Sequence, residues 1–143
     1  MAKITRPEDF FGHRLGADRK IARWNKIVEY FNLLQEESDR IKVVNSGDTT
    51  EGNPFLVAYI SSEENLSNMD RLQEVNKSIT DPQNRAIDEI SSLIAEGKAV
   101  IVQTMSLHAT EIGGPQMAPE LAYDQVTRKD EEAKRIRDEV ISI

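Results

Sequence analysis

Two apolar runs constrain this chain most: FLVAYI at residues 55–60 and AVIVQ at 99–103, separated by two stretches of helical period. Runs this apolar read as buried strands, and the first reads as covered on both faces, which calls for a sheet with helices packed on it. A strand, a helical connection and a second strand make a crossover, which favours parallel pairing of the two runs. Residues 41–44 supply a further short strand, and GDTTEGN at 47–53 is dense in turn formers, so 41–44 and 55–60 should close as an antiparallel hairpin. The expected fold class is α/β, a mixed β-sheet flanked by helices.

The helices are read from caps and period. Asp18 is a good N-cap for a helix over 18–38, with Ile21, Trp24, Ile27, Val28, Phe31 and Leu34 as its buried stripe. Ser61 and Glu64 fit a capping box, followed by an inward stripe of Leu66, Met69, Leu72 and Val75. Asp81-Pro82 signals another start, Ile87, Ile90, Leu93 and Ile94 its apolar face, and Gly97 its end. A helix over 115–126 should turn Met117, Leu121 and Val126 inward; a last, charged helix carries a narrow stripe of Ile136 and Val140. The final residues, 140–143, are apolar, as if leading into another strand. Residues 1–17 read as an irregular segment anchored by Phe10 and Phe11, with His13 as a structural or surface histidine.

The run at 99–103 leads to His108 and Glu111, spaced H-x-x-E. Both are zinc-ligand types, and a turn after the strand brings them to the carboxyl edge of the sheet, where open α/β sheets keep ligand sites. The same residues also fit a histidine at a helix start and a first-turn glutamate stabilised by the helix dipole. Gly113 and Gly114, just beyond, permit a sharp turn and close backbone approach.

The remaining bounds are broad. The chain has 143 residues, enough for one domain with a modest core. A net charge of −7 argues against a nucleic-acid partner, and no apolar run approaches membrane-spanning length. There is no cysteine, hence no disulfide and no thiolate metal site. Met1-Ala2-Lys3 is not followed by a signal-peptide core, and the compartment stays open.

PEDFFGHRLGADRKIARW, VVNSGDTTEGNPFLVAYISSEEN and EGKAVIVQTMSLHATEIGG together resemble the N-terminal part of a zinc carboxypeptidase of the carboxypeptidase A type, and more narrowly a bacterial branch of larger zinc peptidases. The third segment is the most specific, because it sets H-x-x-E directly after a buried strand. The resemblance implies a single partial domain over 1–143, the N-terminal portion of the zinc carboxypeptidase fold. It implies that His108 and Glu111 are the first two ligands of one Zn2+, in a His2Glu site with water in the fourth position. It also implies a later histidine as third ligand, a later glutamate as general base and later arginines holding substrate. None of these matches a residue here: His13 is the only other histidine and corresponds to an N-terminal motif of the family. Thr110 stands where better-known carboxypeptidases have a substrate-holding arginine.

The expected function is thus zinc-dependent carboxypeptidase activity on a peptide or amino-acyl substrate. The 143 residues would carry two metal ligands, no catalytic residue, no assigned substrate-binding residue and little turnover of their own. The alternative is a non-catalytic α/β interaction module. A cation site built on Glu111 and neighbouring carboxylates is weaker, and GDTTEG reads as a turn before it reads as a metal loop. On the fragment reading, an apolar sheet edge or helix face is left exposed and self-associates.

Overall fold

The computed structural model of the chain describes residues 3–83 and 85–143. The elements run α1 (Pro7–Phe11), α2 (Trp24–Glu37), β1 (Ile41–Asp48), β2 (Pro54–Ile60), α3 (Glu63–Ser67), α4 (Met69–Thr80), α5 (Ile87–Glu96), β3 (Ala99–Ile101), α6 (Gly113–Thr127), α7 (Glu131–Glu139) and β4 (Val140–Ser142). The four strands form one mixed sheet in the order β1-β2-β4-β3, an α/β architecture as the sequence implies.

β1 and β2 are the expected antiparallel hairpin, with Ile41 opposite Ile60 and Val44 opposite Val57. β1 is longer than 41–44, because the ladder resumes past a register shift between Asn45 and Asp48. Gly47 takes that irregularity at φ +119, a conformation that side chains with a Cβ rarely adopt. The two apolar runs do not pair with each other. The C-terminal residues insert between them: β4 is antiparallel to β2, with Ser142 opposite Ile60, and parallel to β3, with Val100 opposite Ile141. The apolar end of the chain is therefore a strand, and the crossover pairing expected of 55–60 with 99–103 is replaced by one made from outside both segments.

The core joins Tyr30 and Leu34 of α2, Ile41 and Ile60 of the hairpin, and Ala122 and Val126 of α6. Phe10 and Phe11 anchor the N-terminal segment to it, their rings 5.3 and 5.5 Å from that of Tyr30. The Tyr30 hydroxyl donates to the Thr5 carbonyl at 3.0 Å, and burial pushes its pKa upward. That segment is not wholly irregular: Pro7 starts the short α1 and Gly12 ends it in the left-handed region.

Several helix boundaries and faces differ from the sequence reading. α2 begins at Trp24, not Asp18, and buries Ile27, Tyr30 and Leu34, while Ile21 and Trp24 stay exposed. Arg19 sits at φ +58, which breaks any helix through 18–23. Ser62, not Ser61, caps α3, accepting from the Asn65 N–H. Ser61 is buried instead, its hydroxyl within 2.9 Å of the Arg137 carbonyl and 2.7 Å of the Val140 carbonyl. Asp81 ends α4 rather than starting α5, which opens at Ile87 behind Ala86; Asn84, between them, lies outside the described residues. α5 buries Leu93 against its neighbours but leaves Ile87 and Ile94 in solvent. Gly97 does end it, donating to the Leu93 carbonyl at 2.8 Å, though without a left-handed cap.

The last two helices bury Val126 as expected, but otherwise different residues. α6 turns Gln116, Pro119, Ala122 and Val126 inward and leaves Met117 exposed. In α7, Ala133 and Arg137 are buried and Ile136 is not. The Arg137 guanidinium donates to the Gln125 and Arg128 carbonyls, so its burial is compensated.

Candidate metal centre

The sheet ladder continues past β3. Ile143 N–H donates to the Ile101 carbonyl at 2.8 Å and Gln103 N–H donates to the Ile143 carbonyl at 2.7 Å. The chain then leaves the sheet in a loop that ends where α6 begins. Met105 and Gly114 close this loop: a Cβ on Gly114 would lie 1.6 Å from the Met105 carbonyl oxygen, so only glycine allows the approach. Gly114 thus does what the sequence suggested of its glycines.

Inside the loop, Glu111 is the organising group. Its Oε2 accepts from Leu107 N–H at 2.8 Å and His108 N–H at 3.0 Å. Its Oε1 lies 2.6 Å from His108 Nδ1. Glu111 N–H donates back to the His108 carbonyl at 3.1 Å, and the Ser106 hydroxyl donates to the same carbonyl at 2.9 Å. The bond from the His108 ring, then those from the two backbone N–H groups, hold the Glu111 carboxyl down to a pKa of about 2. An ionised carboxylate only accepts, so Nδ1 carries the proton between them.

Both side chains are exposed, at 68% and 49%. They line a groove of about 460 Å³ whose other residues include Ile21, Arg23, Trp24 and Ile112. His13 is elsewhere, its Nδ1 2.9 Å from the Phe11 carbonyl. Among the described residues no third His, Cys, Asp or Glu gathers with the pair.

The pair fits a divalent cation as part of a site. Two ligand atoms on one tetrahedral zinc, with bonds of about 2.1 Å, stand roughly 3.4 Å apart, so the 2.6 Å contact would have to open by roughly 0.8 Å to admit the ion. The carboxylate is oriented by backbone N–H groups on its other oxygen, the kind of outer support that metal-binding carboxylates have. A cation held there would take the place of the shared proton.

One residue that shapes this region was not singled out from the sequence. Gln116 Oε1 accepts from Ala22 N–H at 2.8 Å, and its Nε2 donates to the Ala22 carbonyl at 2.9 Å; both residues are buried. This fastens residues 21–24 to the start of α6, beside the His108 loop. The available signal was spacing: 116, 119, 122 and 126 form a helical stripe, which puts a polar side chain on a buried face.

The loop and the sheet that carries it lie within residues 27–143, the stretch matched by the family model described as zinc carboxypeptidase. No curated protein and no solved structure matches the chain. The chain belongs to the zinc carboxypeptidase family.

Proposed function

We propose that His108 and Glu111 are two of the protein ligands of a catalytic Zn2+ in a metallocarboxypeptidase, which hydrolyses a peptide or amino-acyl amide bond at or near a C-terminus. The observation that carries this reading is the convergence of the two ligand atoms in a loop clamped at Met105 and Gly114. When bound, the ion polarises the scissile carbonyl and lowers the pKa of its water. His108 supplies an imidazole nitrogen. Glu111 supplies one carboxylate oxygen and keeps the other on the Leu107 and His108 N–H groups. Residues 1–143 alone bind zinc weakly and turn over little, because two protein ligands leave the remaining positions to water.

Calorimetric titration with zinc tests this. The wild-type chain takes up one ion, and His108→Ala and Glu111→Gln each weaken uptake by at least about tenfold. Uptake unchanged in both variants removes the pair as a metal centre.

A second reading, an interaction module, is favoured by one feature. β3 is an edge strand whose residues are all exposed, and Val100, Ile101 and, just beyond it, Val102 leave apolar side chains open on its two faces. Such an edge associates with another copy of the chain unless it is covered.

A further inference from the structure

β4 is shorter than the two stretches that flank it. Ile60, Ser142 and Ile101 lie side by side as one row of the sheet. The ladder of β4 reaches Ile143, which bonds to Ile101 and Gln103, and goes no further. On one side β2 runs on from Tyr59 to Pro54, and on the other the chain runs on from Val102 to Ser106. Among the described residues no strand lies between these two stretches. They are the walls of a slot of about 420 Å³, lined behind by Ile27 and Phe31 of α2 and Ala118 and Leu121 of α6.

The walls present backbone groups as well as apolar surface. Ser61 N–H donates to the Arg40 carbonyl at 3.2 Å, which sets the side to which each residue of β2 turns. Alternate residues of an antiparallel ladder bond to the same neighbour, so Tyr59 and Val57 bond to β1, while Ala58 and Leu56 turn their N–H and C=O groups into the slot. Val43, opposite Ala58, agrees with this register: its N–H leaves the hairpin and donates to the Gln35 side chain. On the far wall, Ile143 N–H donates to Ile101 and Gln103 N–H donates to Ile143, so the next acceptor in the parallel series is the Gln103 carbonyl. A compact apolar molecule would cover these groups without bonding them; an extended peptide pairs with both walls.

We infer that the slot is a strand-binding site: an extended segment of polypeptide from outside residues 1–143 enters it, antiparallel to β2 and parallel to residues 101–103, with apolar side chains at alternate positions. The apolar positions are those opposite Ala58 and Leu56, which share the face that Ile60 turns to the core between α2 and α6. A second copy of the chain is not the occupant, because its described strands are already held in its own sheet. The slot is separate from the open outer edge of β3 and includes neither His108 nor Glu111.

The test uses the whole chain and the peptide acetyl-valyl-threonyl-valyl-threonyl-valyl-lysyl-lysine amide. Trp24, the only tryptophan, lines the slot and reports binding by its fluorescence. The peptide should bind saturably, one per chain, and slow amide exchange at Leu56 and Ala58 but not at Val57 and Tyr59. N-methylation of the central valine removes a donor to β2, and N-methylation of the two threonines removes donors to the far wall. Each should weaken binding at least about tenfold, because a slot pairs both sides of the strand. An open sheet edge pairs only one side, so sensitivity to one methylation alone overturns the inference. Equal binding of all three peptides, or no saturable binding with unchanged exchange, overturns it as well. Protection of Leu56 and Ala58 that rises with chain concentration in the absence of peptide makes a second copy the occupant and also overturns it. Ala118→Trp fills the slot from α6 and should weaken the parent peptide at least about tenfold. The comparison of methylated peptides needs no variant and stands even if this one misfolds.

Discussion

Gln116 satisfies both backbone groups of Ala22, its Oε1 at 2.8 Å from the amide nitrogen and its Nε2 at 2.9 Å from the carbonyl oxygen. The two residues are 94 positions apart in sequence. Through this contact the segment before α2 and the helix after the His108 loop become one wall of the groove. Gln116→Ala leaves a buried donor and a buried acceptor unpaired, each costing about 1–3 kcal/mol. Chemical denaturation should show that loss, and amide exchange should show it concentrated at residues 21–24. Gln116→Glu keeps the acceptor but sets a buried carboxylate against the Ala22 carbonyl, so at neutral pH it should cost at least as much as alanine, with part of the loss recovered as the carboxyl is protonated.

Gly114 is a second structural requirement of the loop. With a Cβ only 1.6 Å from the Met105 carbonyl oxygen, Gly114→Ala forces Met105 or the first turn of α6 to move. The expected destabilisation is about 1–3 kcal/mol, accompanied by weaker zinc uptake because the loop loses its clamp. Gly113→Ala meets no heavy atom and should change neither. Parallel denaturation and zinc titrations of the two variants separate these outcomes; equal behaviour would mean the clamp is unimportant.

A pH effect should come from the start of α7. Asp130 accepts from Arg128 Nε and Nη2 and from the Ala133 N–H, and these bonds, the Arg128 contact first, lower its pKa to about 2. The folded value lies below the unfolded one of about 3.9. The stabilisation is therefore complete above about pH 4 and is lost as the pH falls towards 2. Asp130 is exposed, so salt weakens the effect. Acid unfolding of Asp130→Asn should begin at higher pH than that of wild type, and a carboxyl NMR titration should place Asp130 near 2. A normal carboxylate value would contradict the account.

The open edge of β3 predicts association. Val102, just past β3, is 66% exposed on the face it shares with Val100. Light scattering coupled to size exclusion should show concentration-dependent association of the wild-type chain, and Val102→Lys should suppress it without loss of helical circular dichroism. A wild-type monomer at all concentrations would remove the interaction reading.

The sequence made the local pieces legible and missed what distant contacts decide. FLVAYI, AVIVQ and the hairpin turn carry their own period and turn chemistry and give the strands and the hairpin as read, but not the burial: β2 is only partly covered, with Phe55 exposed, and β3, shortened to 99–101 at the sheet edge, is exposed throughout. H-x-x-E falls in the loop that its strand implies, with both side chains converging. The pairing of the apolar runs was not legible, because the strand between them comes from residues 140–142 and no local pattern announces its slot. Asp18 looks like a cap, yet Ala22 bonds to Gln116 and the helix waits until Trp24. Ser61 looks like a cap as well, but two carbonyls of the α7–β4 junction draw it inward and Ser62 takes the role. In each case a tertiary hydrogen bond overrides a sound local signal.

The central claim is that His108 and Glu111 hold one ion together. X-ray absorption on the zinc-loaded chain tests it most directly. The account predicts one imidazole nitrogen and carboxylate oxygen within about 2.0–2.2 Å, with water completing the shell. The imidazole contribution should disappear in His108→Ala, and the oxygen shell should change in Glu111→Gln. A zinc spectrum identical in wild type and both variants would contradict it.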